Sequence, residues 1–159
     1  MSAVGTCPTH LSRFLHEERI GVLAVLLADG VPYASTLRFA HRESPALEIY
    51  FVTAKDSEKL SKLADGRAAN ASVVVGFSEE KWITVQMKGR AKILDSPQES
   101  EFAKELLFNK FPEWERHRDN EKVAWVKFTA SWWKYSDLSE DDKVIFDSEE
   151  VALASLNDG

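Results

Sequence analysis

Residues 20–43, IGVLAVLLADGVPYASTLRFAHRE, decide the fold. Two apolar runs flank Asp29-Gly30. That dipeptide suits a type I′ turn, in which both central residues take positive φ. The reading is a hairpin with strands over Gly21–Ala28 and Pro32–His41. Pro32 has no N–H to give a ladder, so it suits a strand start or an edge. Side chains alternate across a strand. Tyr33, Ser35, Leu37 and Phe39 therefore share one face, and Ala34, Thr36 and Arg38 the other.

Working outward, Leu11, Phe14 and Leu15 stand at i, i+3 and i+4 and predict an amphipathic helix over Thr9–Arg19, with Thr9 as N-cap. Downstream, Leu47–Thr53 (LEIYFVT) is rich in β-branched and aromatic residues and reads as a third strand. Asp56-Ser57 opens a short helix with Leu60, Leu63 and Ala64 as its buried stripe and Gly66 as its C-cap. Ala71–Phe77 and Trp82–Leu94 are the fourth and fifth strands, with Gly89 marking a bulge or a close backbone approach. Ser96-Pro97-Gln98-Glu99 is a helix start with a capping box. That helix runs to about Phe111 and stops at Pro112. Val123–Tyr135 is a sixth strand, and KVIF at 143–146 is a possible short one in an acidic tail from about residue 137. Many strands joined by hairpins, with only short helices, argue for a closed antiparallel sheet over βαβ units. The expected class is mainly β with flanking α, a six-stranded antiparallel split barrel.

The chain has 159 residues, which suits a single domain over 1–159. Its 44% hydrophobic and 29% charged residues exclude a disordered chain. The lone Cys7 cannot form an internal disulfide, so a reducing cytoplasm is the expected location. MSAVGTCPTH lacks the basic start and apolar core of a signal peptide. The longest apolar run, near Ile20–Ala28, is far shorter than the ~20 residues that span a bilayer, so no membrane partner is expected. Residues 1–96 carry 12 Lys/Arg against 11 Asp/Glu, whereas residues 97–159 carry 8 against 15. No basic stripe exists to bind nucleic acid, but a small phosphate ligand remains compatible with the first two thirds. There is no GxGxxG and no P-loop.

The most informative stretch for chemistry is FVTAKDSEKLSKL, 51–63. A strand ends at Thr53 and a helix is expected near Ser57. Lys55, Ser57 and Lys59 bracket that helix start, where free N–H groups favour an anion. The same residues also fit a capped helix with solvated lysines. Arg38 could clamp a phosphate in bidentate fashion or point to solvent. Gln86 could bond the polar edge of a flat ring, or simply be the outward face of its strand. Trp132, Trp133 and Tyr135 could wall a planar cofactor or pack in the core. His10, His16, His41 and His117 show no zinc spacing, so no metal site is expected. No catalytic acid, base or nucleophile is visible. His41 is the histidine placed to serve a haem iron if the ligand were haem.

Tyr50-Phe51-Val52-Thr53, Ser57-Glu58-Lys59 and Val85-Gln86-Met87-Lys88-Gly89-Arg90-Ala91 follow in order over a chain segment of about residues 10–135. In order and spacing this resembles the pyridoxamine 5′-phosphate oxidase-like FMN-binding split-barrel family, in its small, poorly characterised branch with Phe-Pro after the last long helix, here Phe111-Pro112. The resemblance implies a homodimer with FMN at the subunit interface and a flavin-dependent oxidoreductase role. It implies a phosphate near Arg38, Ser57 and Lys59. It also implies a flavin lined by the backbone of Phe51, Val52 and Thr53 and by Thr36, with Gln86 or Lys88 in reach. The true oxidases have an arginine-rich strand and a C-terminal segment rich in Arg and Trp. STLRFAH (35–41) has one arginine and the C-terminus is acidic, so pyridoxamine phosphate oxidation is not expected. The alternative on the same fold is a non-catalytic binder of flavin, deazaflavin, haem or another planar ligand.

Overall fold

The computed structural model describes residues 8–60, 67–139, 141 and 143–157. The hairpin forms as expected. β1 (Ile20–Leu26) pairs antiparallel with β2 (Pro32–Arg42), Leu26 opposite Pro32. Its turn is not type I′. Gly30 has φ of 82°, but no non-glycine residue among those described has positive φ, so Asp29 does not. The Leu27 N–H donates to the Val31 carbonyl, and the Gly30 N–H to the Leu27 carbonyl, both at 3.0 Å. This longer loop closes on one left-handed residue, so it needs glycine once and not twice. Asp29 contributes its carboxylate, whose Oδ1 accepts from the Val31 N–H at 2.9 Å.

β3 (Glu48–Ala54), β4 (Ala69–Val75), β5 (Ile83–Ile93) and β6 (Val123–Asp137) complete the barrel. The strand order is β3-β2-β1-β4-β5-β6, and a β3–β6 pairing closes it. The chain is a mainly β protein with a closed six-stranded antiparallel barrel and short helices. β2 and β3 pair only over Phe39–Arg42 and Glu48–Phe51. Beyond that, Val52–Ala54 pair with β6 and Pro32–Arg38 with β1, so the barrel is split between β2 and β3. The expected irregularity at Gly89 is present. Lys88 faces Trp132 and Gly89 faces Ala130, which leaves Ser131 as the extra residue of a bulge in β6. A Cβ on Gly89 would lie 1.9 Å from the Thr129 carbonyl oxygen, so only glycine permits the approach.

The barrel interior holds Leu23, Val25, Phe39, Ile49, Phe51, Met87 and Phe128, all at 1% exposure or less. Each such side chain stabilises the fold by about 1.5–3 kcal/mol relative to exposure. α1 (Thr9–Glu17) adds Leu11, Phe14 and Leu15 to the same core. Pro8, not Thr9, is its N-cap, and it has no side chain to accept an N–H. α2 (Pro97–Lys110) is capped as read: Ser96 Oγ accepts from the Glu99 N–H at 3.4 Å. The capping box is only half made, because Glu99 Oε2 lies nearest Lys92 Nζ, at 3.7 Å, and has no hydrogen-bond partner. Ala103, Leu107 and Phe108 of α2 and the following Phe111 form a second core against Ala40, Tyr50 and Trp125. This second core covers the outside of β2, β3 and β6.

The helix expected from Ser57 is, where described, a single 3₁₀ turn over Glu58–Leu60. Leu63, Ala64 and Gly66 lie outside the described residues, as do Cys7, Glu140 and Asp142. A second 3₁₀ segment, Pro112–His117, follows α2. The short strand in the tail is real: β7 (Val144–Asp147) adds to β6. It leads into α3 (Ser148–Asn157), which the acidic composition had concealed. Among the described residues no helix is long and apolar enough to cross a membrane.

Candidate functional site

The split between β2 and β3 organises the site. Phe51 is the last β3 residue with a partner on β2, and its side chain is fully buried in the barrel. Val52 and Thr53 continue along the open edge, where the β2-facing side of the backbone has no strand beside it. Backbone groups alternate between the two edges of a strand, and Phe51 and Thr53, in step with Lys55, whose N–H donates to the Lys122 carbonyl, turn theirs to β6. Of the three residues expected to offer backbone to a flavin, Val52 presents its N–H and C=O to the open edge. The Glu58–Leu60 turn then packs beside β2. It begins with the Ser57 N–H donating to the Ala54 carbonyl at 3.1 Å.

This turn places Ser57 and Lys59 together. Lys59 Nζ donates to Ser57 Oγ at 2.5 Å. Lys59 is only 8% exposed, and burial lowers its pKa from the ordinary lysine value. No carboxylate pairs with it among the described residues, so a desolvated ammonium is left with one neutral acceptor. Such a group is unfavourable by itself and is relieved by an anion. Lys55, by contrast, is exposed.

Arg38 is on the outward face of β2, as the alternation required, but is not solvated freely. Its guanidinium lies 3.2 Å from Glu113 Oε1 and stands over the rings of Trp114 (5.0 Å) and Phe111 (5.3 Å). Sequence reasoning missed Glu113 and the second arginine on the same oxygen, Arg19 at 3.4 Å. The only available signal was the Phe111-Pro112 stop that turns the chain back after α2.

Gln86 and Lys88 lie elsewhere, on the outer face of β2-β1-β4-β5 that no helix covers among the described residues, while Thr36 stands on β2 at the split, on the same face as Arg38. The register aligns Thr36, Val22, Val74 and Gln86 in one row, and Ala34, Ala24, Ser72, Lys88 and Trp132 in the next. The centre of this face is small and flat. A groove of about 430 Å³ runs over Val22, Ala24, Ser72, Val74 and Gln86 to Trp132, whose ring sits 4.4 Å from Lys88 Nζ. Three strand spacings of ~4.8 Å put Gln86 roughly 14 Å from Thr36. One chain therefore does not bring Gln86 and Lys88 to the β2–β3 split. Trp133 and Tyr135 are buried in the core, so of the aromatic cluster only Trp132 reaches this face.

His41 is inside a different cluster. Its Nε2 lies 3.1 Å from Glu43 Oε1, which also accepts from Ser12 Oγ. Burial lowers the His41 pKa, outweighing the Glu43 carboxylate beside it. Burial would raise Glu43, but the hydrogen bonds from Ser12 and His41 hold it below the ordinary carboxylate value.

The residues at the split suit a phosphate and the edge of a flat ring. Ser57 and Lys59 supply a hydroxyl and an ammonium that no carboxylate neutralises among the described residues, and Val52 supplies open backbone. FMN fits this donor set.

Known proteins agree with the fold. The Pyridoxamine 5′-phosphate oxidase family model matches residues 8–137. Among solved structures, a protein related to general stress protein 26 from Clostridium acetobutylicum superposes with a TM-score of 0.65 at 13% identity, covering 89% of this chain and 94% of that one. A conserved hypothetical protein from Mycobacterium tuberculosis gives 0.65 at 20% identity, over 86% and 88%. A heme binding protein from Mycobacterium smegmatis gives 0.65 at 14% identity, over 93% of this chain and 62% of its own. No curated protein matches the sequence significantly. The structural likenesses speak to fold alone, but the sequence match runs through α1 and all six barrel strands, and the chain belongs to the pyridoxamine 5′-phosphate oxidase family.

Proposed function

We propose that this chain binds FMN, as a homodimer, and serves as a flavin-dependent oxidoreductase distinct from the pyridoxamine phosphate oxidases themselves. One observation carries the reading: the Lys59 ammonium, 8% exposed, with Ser57 Oγ as its partner, beside the open edge of β3. Ser57 and Lys59 hold the phosphate, and Arg38 joins them. Val52 offers backbone hydrogen bonds to the ring. The uncovered outer face of β1, β4 and β5 takes the second copy, and this is how Gln86 and Lys88, too far away within one chain, come to a cofactor. FMN, when bound, supplies hydride or electron chemistry, and the protein supplies position and electrostatics. The family membership supports the flavin, and the acidic C-terminus supports the separation from pyridoxamine phosphate chemistry.

The test is a visible spectrum after incubation with FMN and removal of excess, for the native chain and for Ser57→Ala/Lys59→Met. Flavin bands retained by the native chain and lost from the variant support the assignment. Equal retention by both puts the phosphate elsewhere. A second reading, haem or another planar ligand such as a deazaflavin, draws on the fold shared with the Mycobacterium smegmatis heme binding protein. His41 would be its iron ligand, yet its Nε2 is engaged by Glu43 at 3.1 Å, which weighs against this. A Soret band that survives in His41→Ala would remove His41 from that reading.

A further inference from the structure

Glu113 presents a problem for any ligand of Arg38. A single oxygen, Oε1, is shared by Arg38 Nη1 at 3.2 Å and Arg19 Nη2 at 3.4 Å. The two guanidiniums are neighbours because of the hairpin: Ile20 is opposite Arg38, and the Arg19 carbonyl accepts from the Phe39 N–H at 3.2 Å. They also rest on a common platform. Arg19 Cζ is 4.6 Å and Arg38 Cζ 5.3 Å from the centre of the Phe111 ring, which is fully buried and so fixed. Lys110 adds a third cation, with Nζ 5.8 Å from that ring. Ring stacking orients the guanidiniums whether or not a carboxylate sits on them.

Among the described residues the sole carboxylate bonded to the two arginines is Glu113, and it is itself 53% exposed. The neighbouring Glu18 carboxylate is turned to Lys81, at 3.4 Å. Exposed ion pairs of this kind are weak and exchange readily with other anions. A phosphate monoester offers more charge and more acceptor oxygens to two forked donors than one carboxylate does.

We infer that Glu113 is a built-in occupant of a two-arginine anion site: it holds Arg19 and Arg38 until a phosphate monoester displaces it, and Arg19 is a second phosphate-binding guanidinium alongside Arg38. The inference rests on the assignment of Arg38 to the FMN phosphate. The 3₁₀ segment Pro112–His117 then acts as a competitor for the ligand, setting how tightly the phosphate is held.

The experiment is a fluorescence titration of FMN, with riboflavin as the probe lacking phosphate, into the native chain, Glu113→Gln and Arg19→Gln. Both side chains are about half exposed, so neither substitution disturbs a core. Glu113→Gln should tighten FMN about two- to five-fold, the size of a surface pair removed, and leave riboflavin unchanged. Arg19→Gln should weaken FMN by a similar factor, again without moving riboflavin. If the native chain binds FMN and Glu113→Gln binds it equally, or if FMN and riboflavin shift together, the competitor role is wrong while the FMN reading stands. If none of the three binds FMN, both fall.

Discussion

Lys59 is the residue at which binding and stability separate. A side-chain ammonium at 8% exposure with one hydroxyl partner gains little for the folded chain alone. Lys59→Met should therefore leave the urea midpoint unchanged or raise it, while weakening FMN at least tenfold. A variant that lost stability and kept its flavin would show that Lys59 is structural. Gly89 is the opposite case. Its missing Cβ makes room for the Thr129 carbonyl, and Gly89→Ala should cost about 2–3 kcal/mol in denaturant unfolding. Both positions were legible in the sequence, Lys59 by its spacing from Ser57 and Gly89 as a glycine within a strand. Glu113 was not. It meets Arg38 from 75 residues away, and no local pattern announces a partner brought by tertiary packing.

At the scale of elements, local signals carried most of the secondary structure. Ser96-Pro97 fixed the start of α2, and Ser96→Ala should cost about 1 kcal/mol through the lost acceptor for the Glu99 N–H. The missing half of the capping box shows why such motifs overstate: Glu99 has Lys92 nearby and turns to it. α3 was hidden because SEEVALASLN follows an acidic run and has few large apolar residues to set a period. The turn at Ala28–Gly30 was right in place and wrong in type, since Asp29 acts through its side chain. Packing of α1 against β2 creates the His41–Glu43–Ser12 cluster, and with it a pH dependence. The folded-state pKa of His41 lies below its unfolded value of 6.5, so the unfolded chain takes up the proton first as pH falls. Stability should be full above about pH 6.5 and decline below it. His41→Asn should show a smaller loss between pH 7.5 and 5.5 when urea midpoints are compared.

For the whole molecule, the closed barrel followed from the number of strands and hairpins, but which pair of strands closes it did not. β3 meets β6 through contacts between Glu48–Ala54 and Val123–Thr129, which are distant in sequence. The split between β2 and β3 is likewise a matter of where pairing stops, and strand propensity is silent on that. The same architecture leaves one outer face of small residues open, and the proposed dimer uses it. Ala24→Asp places a charge in the middle of that face, away from the barrel core, and should yield a folded monomer that no longer retains flavin.

The central claim is that the flavin is held between two copies of this chain. Sedimentation equilibrium of the FMN-loaded protein, followed at a flavin wavelength, tests it directly. Flavin distributed at twice the 18.0 kDa chain mass is the expected result. Flavin that distributes as free cofactor, or that stays with a protein of one chain mass, would contradict it.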